Sequence, residues 1–309
     1  MKTLTRDHSY YLFDSNQPCA LWVEPGERFC VETYDARRGR LQEHSQLASS
    51  APAWNTDQPQ TNPCTGPIGI TGLRAGDTVR ISIHKIVPER RGFLVQKTDM
   101  GICKQLVDQS YAVFAEIADD RISLECGLSL PLRPHIGTLG ITPQRPVATG
   151  FAGPHGGNMD CRYLEEGTTL YLPVQVDGGL LGVGDVHASM GSGELMGTGV
   201  ETCATVELSA QAAPEIQLQG PVVCTQSEVM TVGVAPQLQE ALEIASAHMV
   251  DLLERYGQYS RCSALSLLTS VCDAGICQGF DAAIFSVASV SISRQYLSLF
   301  TPIERGDSI

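Results

Sequence analysis

Gly150-Phe-Ala-Gly-Pro-His-Gly-Gly-Asn-Met-Asp-Cys161 opens the stretch that decides the fold. It runs on through Leu170-Tyr-Leu-Pro-Val-Gln-Val176 and closes in Gly184-Asp-Val-His-Ala-Ser-Met-Gly-Ser-Gly-Glu194. In the middle segment Leu170, Leu172, Val174 and Val176 alternate with other residues, the two-residue period of a strand rather than the 3.6 of a helix. The flanks are framed by glycine, and each presents groups able to bind a metal or move a proton. The first carries His155, Asn158 and Asp160; the second carries Asp185, His187 and Glu194. Clusters of His and carboxylate on tight turns are how a β scaffold builds a metal-assisted hydrolytic site. Either loop alone reads equally well as a polar turn, so the functional reading rests on the pair.

Outward from this stretch the β pattern continues. Thr78 to Val87 places Val79, Ile81 and Ile83 on one face and Arg80, Ser82 and His84 on the other. Leu21 and Val23, then Phe29 and Val31, alternate on either side of a Glu24-Pro25-Gly26-Glu27 turn. Arg37 to Gln60 is polar and patternless, a long loop of the kind that often serves function. Thr61 to Gly72 is too broken for a helix and reads as a turn with a flanking strand, whereas Arg90 to Val113 gives no clear pattern. After residue 210 the character changes. Leu238, Leu242, Ala245, Met249, Leu252 and Tyr256 recur in steps of four and three, an amphipathic helix with Pro236 suited to its first turn and Gly257 to its end. Ser260 can cap a second helix reaching about Val271, with Leu265, Leu268 and Cys272 on its apolar side, and Ile284 to Ser293 reads as a strand. The expectation is a mainly β fold, sandwich or jelly-roll-like, over residues 1–210. A smaller α+β C-terminal part, residues 211–309, would pack on it or continue it as one domain.

Composition narrows the function classes. A chain of 309 residues with mean hydropathy −0.02 can bury a full core. Its net charge of −13 argues against nucleic acid, whose phosphates need clustered Lys and Arg. No secretory signal opens the chain and no apolar run is long enough to span a membrane, so a cytoplasmic protein is expected. The eleven cysteines are odd in number and form no Cys-x-x-Cys pair, which fits reduced, buried thiols better than a disulfide framework. There is no phosphate-binding Gly-x-x-x-x-Gly-Lys loop and no Gly-x-Ser-x-Gly elbow.

Taken singly, His187 suits a metal ligand or general base, with Asp185 placed to orient its imidazole. Asp160 suits a ligand or catalytic carboxylate, and His155 a second imidazole ligand. Glu194 suits a general acid and base, and Asn158 either donates to a substrate oxygen or holds its loop. Cys161 opens a rival route, a thiolate beside a carboxylate and a lysine. The four lysines, Lys2, Lys85, Lys97 and Lys104, lie far from it in sequence, so a buried inert thiol is the better reading. His8 reads as a surface residue, and His44, His84, His135 and His248 have no supporting pattern.

At these loops the chain resembles the acetamidase/formamidase family. The likeness is carried by Gly156-Gly-Asn-Met-Asp160, Gly167-Thr-Thr-Leu-Tyr-Leu-Pro-Val174, Gly184-Asp-Val-His-Ala188 and Gly193-Glu194. It extends to Thr65-Gly-Pro-Ile68, Gly76-Asp-Thr-Val79, Glu24-Pro-Gly-Glu27 and Ile276-Cys-Gln278, nearly end to end. The resemblance implies a metal-dependent hydrolase of short amides that releases ammonia and a carboxylate, on a largely β fold, as a homodimer or higher homo-oligomer. Met190 and Ser192 stand where that family commonly has Gln and Asp, which puts a polar contact in doubt. The resulting expectation is a divalent metal, zinc before others, held by His155, Asp160 and His187 with one position open. Glu194 would move the proton and Asn158 would stabilise the oxyanion. Hydrolysis of a cyclic amide (a lactam) with the same residues, and a non-catalytic small-molecule or metal-binding relative, are the alternatives.

Overall fold

A computed structural model describes residues 1–50, 60–279 and 285–302. The framework is β1 (Arg28–Thr33), β2 (Cys64–Ile70), β3 (Thr78–Gln96), β4 (Tyr111–Ala118), β5 (His135–Ile141), β6 (Gly156–Asn158), β7 (Thr169–Pro173), β8 (Leu181–His187), β9 (Glu201–Ala212), β10 (Glu228–Ala235) and β11 (Ser286–Ser293). Two helices, α1 (Leu238–Arg255) and α2 (Arg261–Ser270), lie between β10 and β11. The fold is mainly β with an α+β C-terminal part, as the patterning indicates.

Pairing is antiparallel nearly throughout. β9 is the longest seam, lying against both β3 and β1. β8 is flanked by β5 on one edge and by β2 and then β9 on the other. This corrects the reading of the two glycine-framed stretches as tight turns. Gly156 to Asn158 and Gly184 to His187 are strand, because neighbouring strands on their edges take up their backbone N–H and C=O groups. β5 and β8 are buried on both faces, so neither shows the in–out alternation of a half-exposed strand.

Val79, Ile81 and Ile83 are buried, as their spacing requires, but the strand they begin runs on to Gln96 and pairs with β4. Much of the patternless Arg90–Val113 stretch is therefore one long hairpin. Its outer strands lose the clean alternation because β3 bends at two register shifts against β9. Within Arg37–Gln60, Asp35 Oδ1 accepts from the backbone N–H groups of Arg37 and Gly39, and a short 3-10 turn follows at His44–Gln46; residues 51–59 lie outside the described part.

α1 buries Ala241, Ala245, Met249, Leu252 and Leu253 against β10 and β11. Pro236 lies just before the N-cap Gln237 rather than in the first turn. The Ser260 Oγ accepts from Ser263 N–H as expected of a cap, and Leu268 and Cys272 pack partly buried against the core as expected, but Leu265 is exposed and only Ala264 of α2 is fully buried. Ile284 lies outside the described residues, and the strand it was expected to open runs over Ser286–Ser293. β7 pairs with Val222–Cys224, and Val223, Met230 and Val287 share one core with Ile81 and Leu170. A boundary at residue 210 would fall inside β9.

Candidate active site

Three neighbouring strands set His135, His187 and Glu201 in one row. His187 near the end of β8 stands directly opposite His135 on β5 and directly opposite Glu201 on β9. Opposed side chains on adjacent antiparallel strands lie within contact range of one another. Here they bond: His187 Nε2 is 3.0 Å from Glu201 Oε1, and His187 Nδ1 is 3.3 Å from His135 Nε2. Asp185, two residues back on the same face of β8, brings Oδ1 to 3.8 Å from His187 Nε2.

Asp160 enters from the end of β6. Its Oδ2 accepts from Asn158 Nδ2 at 3.0 Å and from Gln278 Nε2 at 2.5 Å, and Gln278 also donates to Glu194 Oε2 at 3.2 Å. Asn62 donates to Asp185 Oδ2 at 2.6 Å and to Asn158 Oδ1 at 2.9 Å, while Thr138 Oγ1 donates to that same Asn158 oxygen at 2.6 Å. All of these side chains are buried.

After these bonds, three buried oxygens accept no hydrogen bond from an N–H or hydroxyl donor among the described residues: Asp160 Oδ1, Asp185 Oδ1 and Glu201 Oε2. Asp160 stands against Glu194, Asp185 against Glu201, and Asp185 Oδ1 faces His187 Nε2 only at 3.8 Å. A buried carboxylate oxygen without such a donor costs several kcal/mol unless something positive meets it. Ligand atoms of Asp160, Asp185 and His187 lie within 4.8 Å of one another, as do those of His187, Glu194 and Glu201. Mixed carboxylate and imidazole donors at that spacing fit a divalent cation.

Electrostatics agree. Burial pushes Asp160 up to about 8, with the Asp185 charge adding to it. Burial first, then Glu201, raises Asp185 well above the carboxylate range, and burial followed by Asp160 does the same for Glu194. Burial alone would depress His187, but Glu201 and Asp185 overcome it and hold the imidazole well above its ordinary value. Burial would raise Glu201 too, yet the charge and hydrogen bond of His187 leave it lowered. Four carboxyl groups around one imidazole cannot all stay charged in a dry site, so either protons or a cation must offset them.

The backbone is bent to the same end. Eight non-glycine residues among those described have positive φ, and four of them are Asn62, Asp160, Asp185 and Glu194. Such conformations persist where the surroundings force them, and they gather at functional sites. The carboxylates line a cleft of about 50 Å³, whose wall also includes the apolar Phe93, Val95 and Met100 and the cationic Arg37 and Lys97. The polar loop after Thr33 thus supplies part of the wall.

The chain matches the model of the acetamidase/formamidase family over residues 6–152 and 149–282, which is most of its length. The chain belongs to the acetamidase/formamidase family. Its fold is similar to a predicted acetamidase/formamidase of Thermoanaerobacter tengcongensis (TM-score 0.89, 30% identity, 97% of this chain and 99% of that one). An acetamidase of Bacillus halodurans is equally similar (TM-score 0.89, 30% identity, 96% and 98%). A gamma lactamase of Delftia acidovorans shares the fold more loosely, at TM-score 0.65 and 18% identity over 99% of this chain and 95% of that one. Among curated sequences, a putative formamidase of Schizosaccharomyces pombe is 29% identical over 126 residues, 39% of this chain and 25% of the relative. A formamidase of Methylophilus methylotrophus is 40% identical over 55 residues, 18% of this chain and 12% of the relative. The match therefore spans a quarter or less of these curated relatives' length.

Of the family residues singled out in sequence, the structure brings Asn158, Asp160, Asp185, His187 and Glu194 into one cluster. His155 stands apart. Its ring packs edge-on against Phe13 (centroids 5.4 Å apart, planes at 74°), its Nε2 has no hydrogen-bond partner among the described residues, and burial alone depresses it to about 4. It belongs to neither group of possible ligands, whereas Asp160 and His187 of the expected set are grouped with Asp185. Asp185 thus stands among the possible ligands as well as beside the imidazole, 3.8 Å from His187 Nε2.

Glu201, His135, Asn62 and Gln278 escaped the sequence reading as site residues. Only Gln278 carried a signal, as part of the Ile276-Cys-Gln278 likeness. Lys97 lines the cleft although it is distant in sequence, but the charges felt by the buried Cys161 come from Arg162 and Glu165, with Cys277 as its thiol partner. Met190 is half-buried and Ser192 exposed, and neither is among the cleft-lining residues. His8 is exposed on a 3-10 turn. Among the described residues no helix is long and apolar enough to cross a membrane.

Proposed function

We propose that this protein hydrolyses short-chain amides of the formamide and acetamide kind to ammonia and a carboxylate, using a divalent cation, zinc before others. One observation carries the reading. Three buried carboxylate oxygens that accept no N–H or hydroxyl hydrogen bond among the described residues converge with His187 at a cleft, in a chain of the acetamidase/formamidase family. Asp160, Asp185 and His187 would hold the cation, with Glu201 and Glu194 beside them. When bound, such a cation polarises a carbonyl and brings the pKa of a water it holds towards ~7.

The protein's own groups supply the rest. Glu194 is kept protonated by burial and by Asp160, so it can hand a proton to the leaving nitrogen, which departs only once protonated. Asn158 spends one N–H on Asp160, and its second N–H, in the cleft, can meet the developing oxyanion. Gln278 bridges Asp160 and Glu194 and fixes their spacing. Phe93, Val95 and Met100 exclude water and offer an apolar bed for a short acyl group.

The test is ammonia release from formamide, acetamide, a longer linear amide and a lactam, by protein loaded in turn with Zn²⁺ and Mn²⁺. Turnover of the small linear amides that vanishes in His187→Ala, and falls in Glu194→Gln while metal uptake persists, is the expected result. Preference for the lactam would move the substrate class. Silence across the panel with metal bound would leave a binding protein on an inherited scaffold.

A further inference from the structure

We infer that His135 is a positioning residue that holds a proton on His187 Nδ1, leaving Nε2 as the ring nitrogen that faces the carboxylate cluster and would take a cation. The inference rests on the cation reading above and assigns a role to a residue on which that reading does not depend. His135 is 1% exposed and stands directly opposite His187 across β5 and β8. Its Nδ1 lies 3.4 Å from the carbonyl oxygen of Arg133, and its Nε2 lies 3.3 Å from His187 Nδ1.

A carbonyl only accepts, so the Arg133 contact requires the proton on His135 Nδ1. Neither ring nitrogen of His135 is bonded to a carboxylate among the described residues. Nothing there offsets the cost of burying a charge, and the ring therefore carries a single N–H. Its Nε2 is then an acceptor, and among the described residues the donor facing it is His187 Nδ1–H. Chemistry follows along the row. With Nδ1 protonated and committed to His135, Nε2 carries the proton that His187 donates to Glu201 Oε1 at 3.0 Å, with Asp185 Oδ1 3.8 Å away. It is this proton that a bound cation would displace to take the Nε2 lone pair. A backbone carbonyl thus sets the proton on one imidazole, which sets the proton on the next. The two rings, tilted by 51° with centroids 5.1 Å apart, are held in this relation by the strand register rather than by a loop.

The experiment compares wild type, His135→Leu and His135→Gln. Leucine fills similar space without an acceptor, whereas the glutamine Oε1 can still accept from His187 Nδ1–H. Zn²⁺ affinity is read by chelator competition, the His187 tautomer by long-range proton–nitrogen correlation on histidine-labelled, Zn²⁺-loaded protein, and folding by the unfolding midpoint of the metal-free chain. Loss of Zn²⁺ affinity of about ten- to a hundredfold in His135→Leu is expected, the usual effect of removing a group that orients a ligand. His135→Gln should recover most of it, with the Nδ1–H signature of His187 present in wild type and His135→Gln. Unaltered affinity and signature in His135→Leu would overturn the role of His135 while leaving the cation reading intact. A His187 that binds Zn²⁺ through Nδ1 would overturn it as well. Failure of the wild type itself to bind Zn²⁺ would overturn both readings together. If His135→Leu does not fold, His135→Gln decides alone: a loss as deep as that of His187→Ala refutes the acceptor argument.

Discussion

Gly137 on β5 shows how little room the carboxylates have. A Cβ built there would lie 2.6 Å from Asp160 Oδ1, 2.9 Å from Asp185 Oδ2 and 2.6 Å from the Asp185 carbonyl. Gly137→Ala should therefore cost about 1–3 kcal/mol of stability by overpacking. It should also lower metal affinity and turnover by at least about tenfold, since a misplacement near 1 Å is that damaging to a tuned site. Calorimetry beside ammonia release checks this, and an alanine variant with wild-type turnover would show the cluster to be slack. His155 gives a second residue-scale prediction. Its folded pKa is about 4 against an ordinary 6.5, so on acidification the unfolded chain takes a proton that the folded chain refuses. Stability from this group is present above pH ~6.5 and is lost as pH falls towards 4, at up to ~1.4 kcal/mol per pH unit. His155→Leu should thus gain on wild type as pH drops from 6.5 to 4, and it should still bind metal. A stability difference that stays flat across that range would refute the neutral, unpartnered histidine. The site was legible in sequence where glycines frame polar residues close together, as at Asn158, Asp160 and Asp185. It was illegible at Glu201, Asn62 and Gln278, because their places depend on pairings that bring residues far apart in sequence together, such as Asn62 with Asp185.

Among the elements, α1 is the one whose sequence most nearly dictated its place. The four-and-three spacing of Ala245, Met249 and Leu252 makes the stripe that β10 and β11 cover. Met249 is fully buried there, so Met249→Ala should destabilise by about 2–5 kcal/mol, roughly 2 °C of Tm for each kcal/mol in a chain of this size. A loss under ~1 kcal/mol in chemical denaturation would mean that the helix packs loosely. α2 was harder to read, since Leu265 looks like core but faces solvent, and its cap Ser260 announces only where the helix begins. Strand identity was legible in Val79, Ile81 and Ile83 because one face of β3 is buried while Arg80 and His84 stay half-exposed on the other. β8 hid its nature because both of its faces are buried, and a two-sided strand rich in glycine has the composition of a turn.

Over the whole molecule, the site joins parts of the chain that lie far apart in sequence. Asn62 reaches it from the N-terminal portion and ends on Asp185, while Gln278 reaches it from the C-terminal α+β portion and ends on Asp160 and Glu194. Metal removal should consequently weaken the entire fold rather than one loop. A cation at about a hundredfold its Kd stabilises by ~2.7 kcal/mol, which for a chain of this size is a rise of roughly 5 °C in Tm. The pH dependence has a definite sign. Asp160 titrates at about 8 in the metal-free fold against an ordinary value of 3.8, so the folded state holds a proton that the unfolded chain has already lost between those limits. Its contribution to stability is present below pH ~4 and is lost as pH rises through 8. Asp185, the other carboxylate grouped with Asp160 and His187, is shifted in the same direction. A bound cation takes over the role of those protons, and its affinity rises as they leave. The gap in Tm between metal-loaded and metal-free protein should therefore widen steadily from pH 5 to pH 8. Scanning both forms across that range is decisive, because a constant gap would mean that these carboxylates are not what the metal meets.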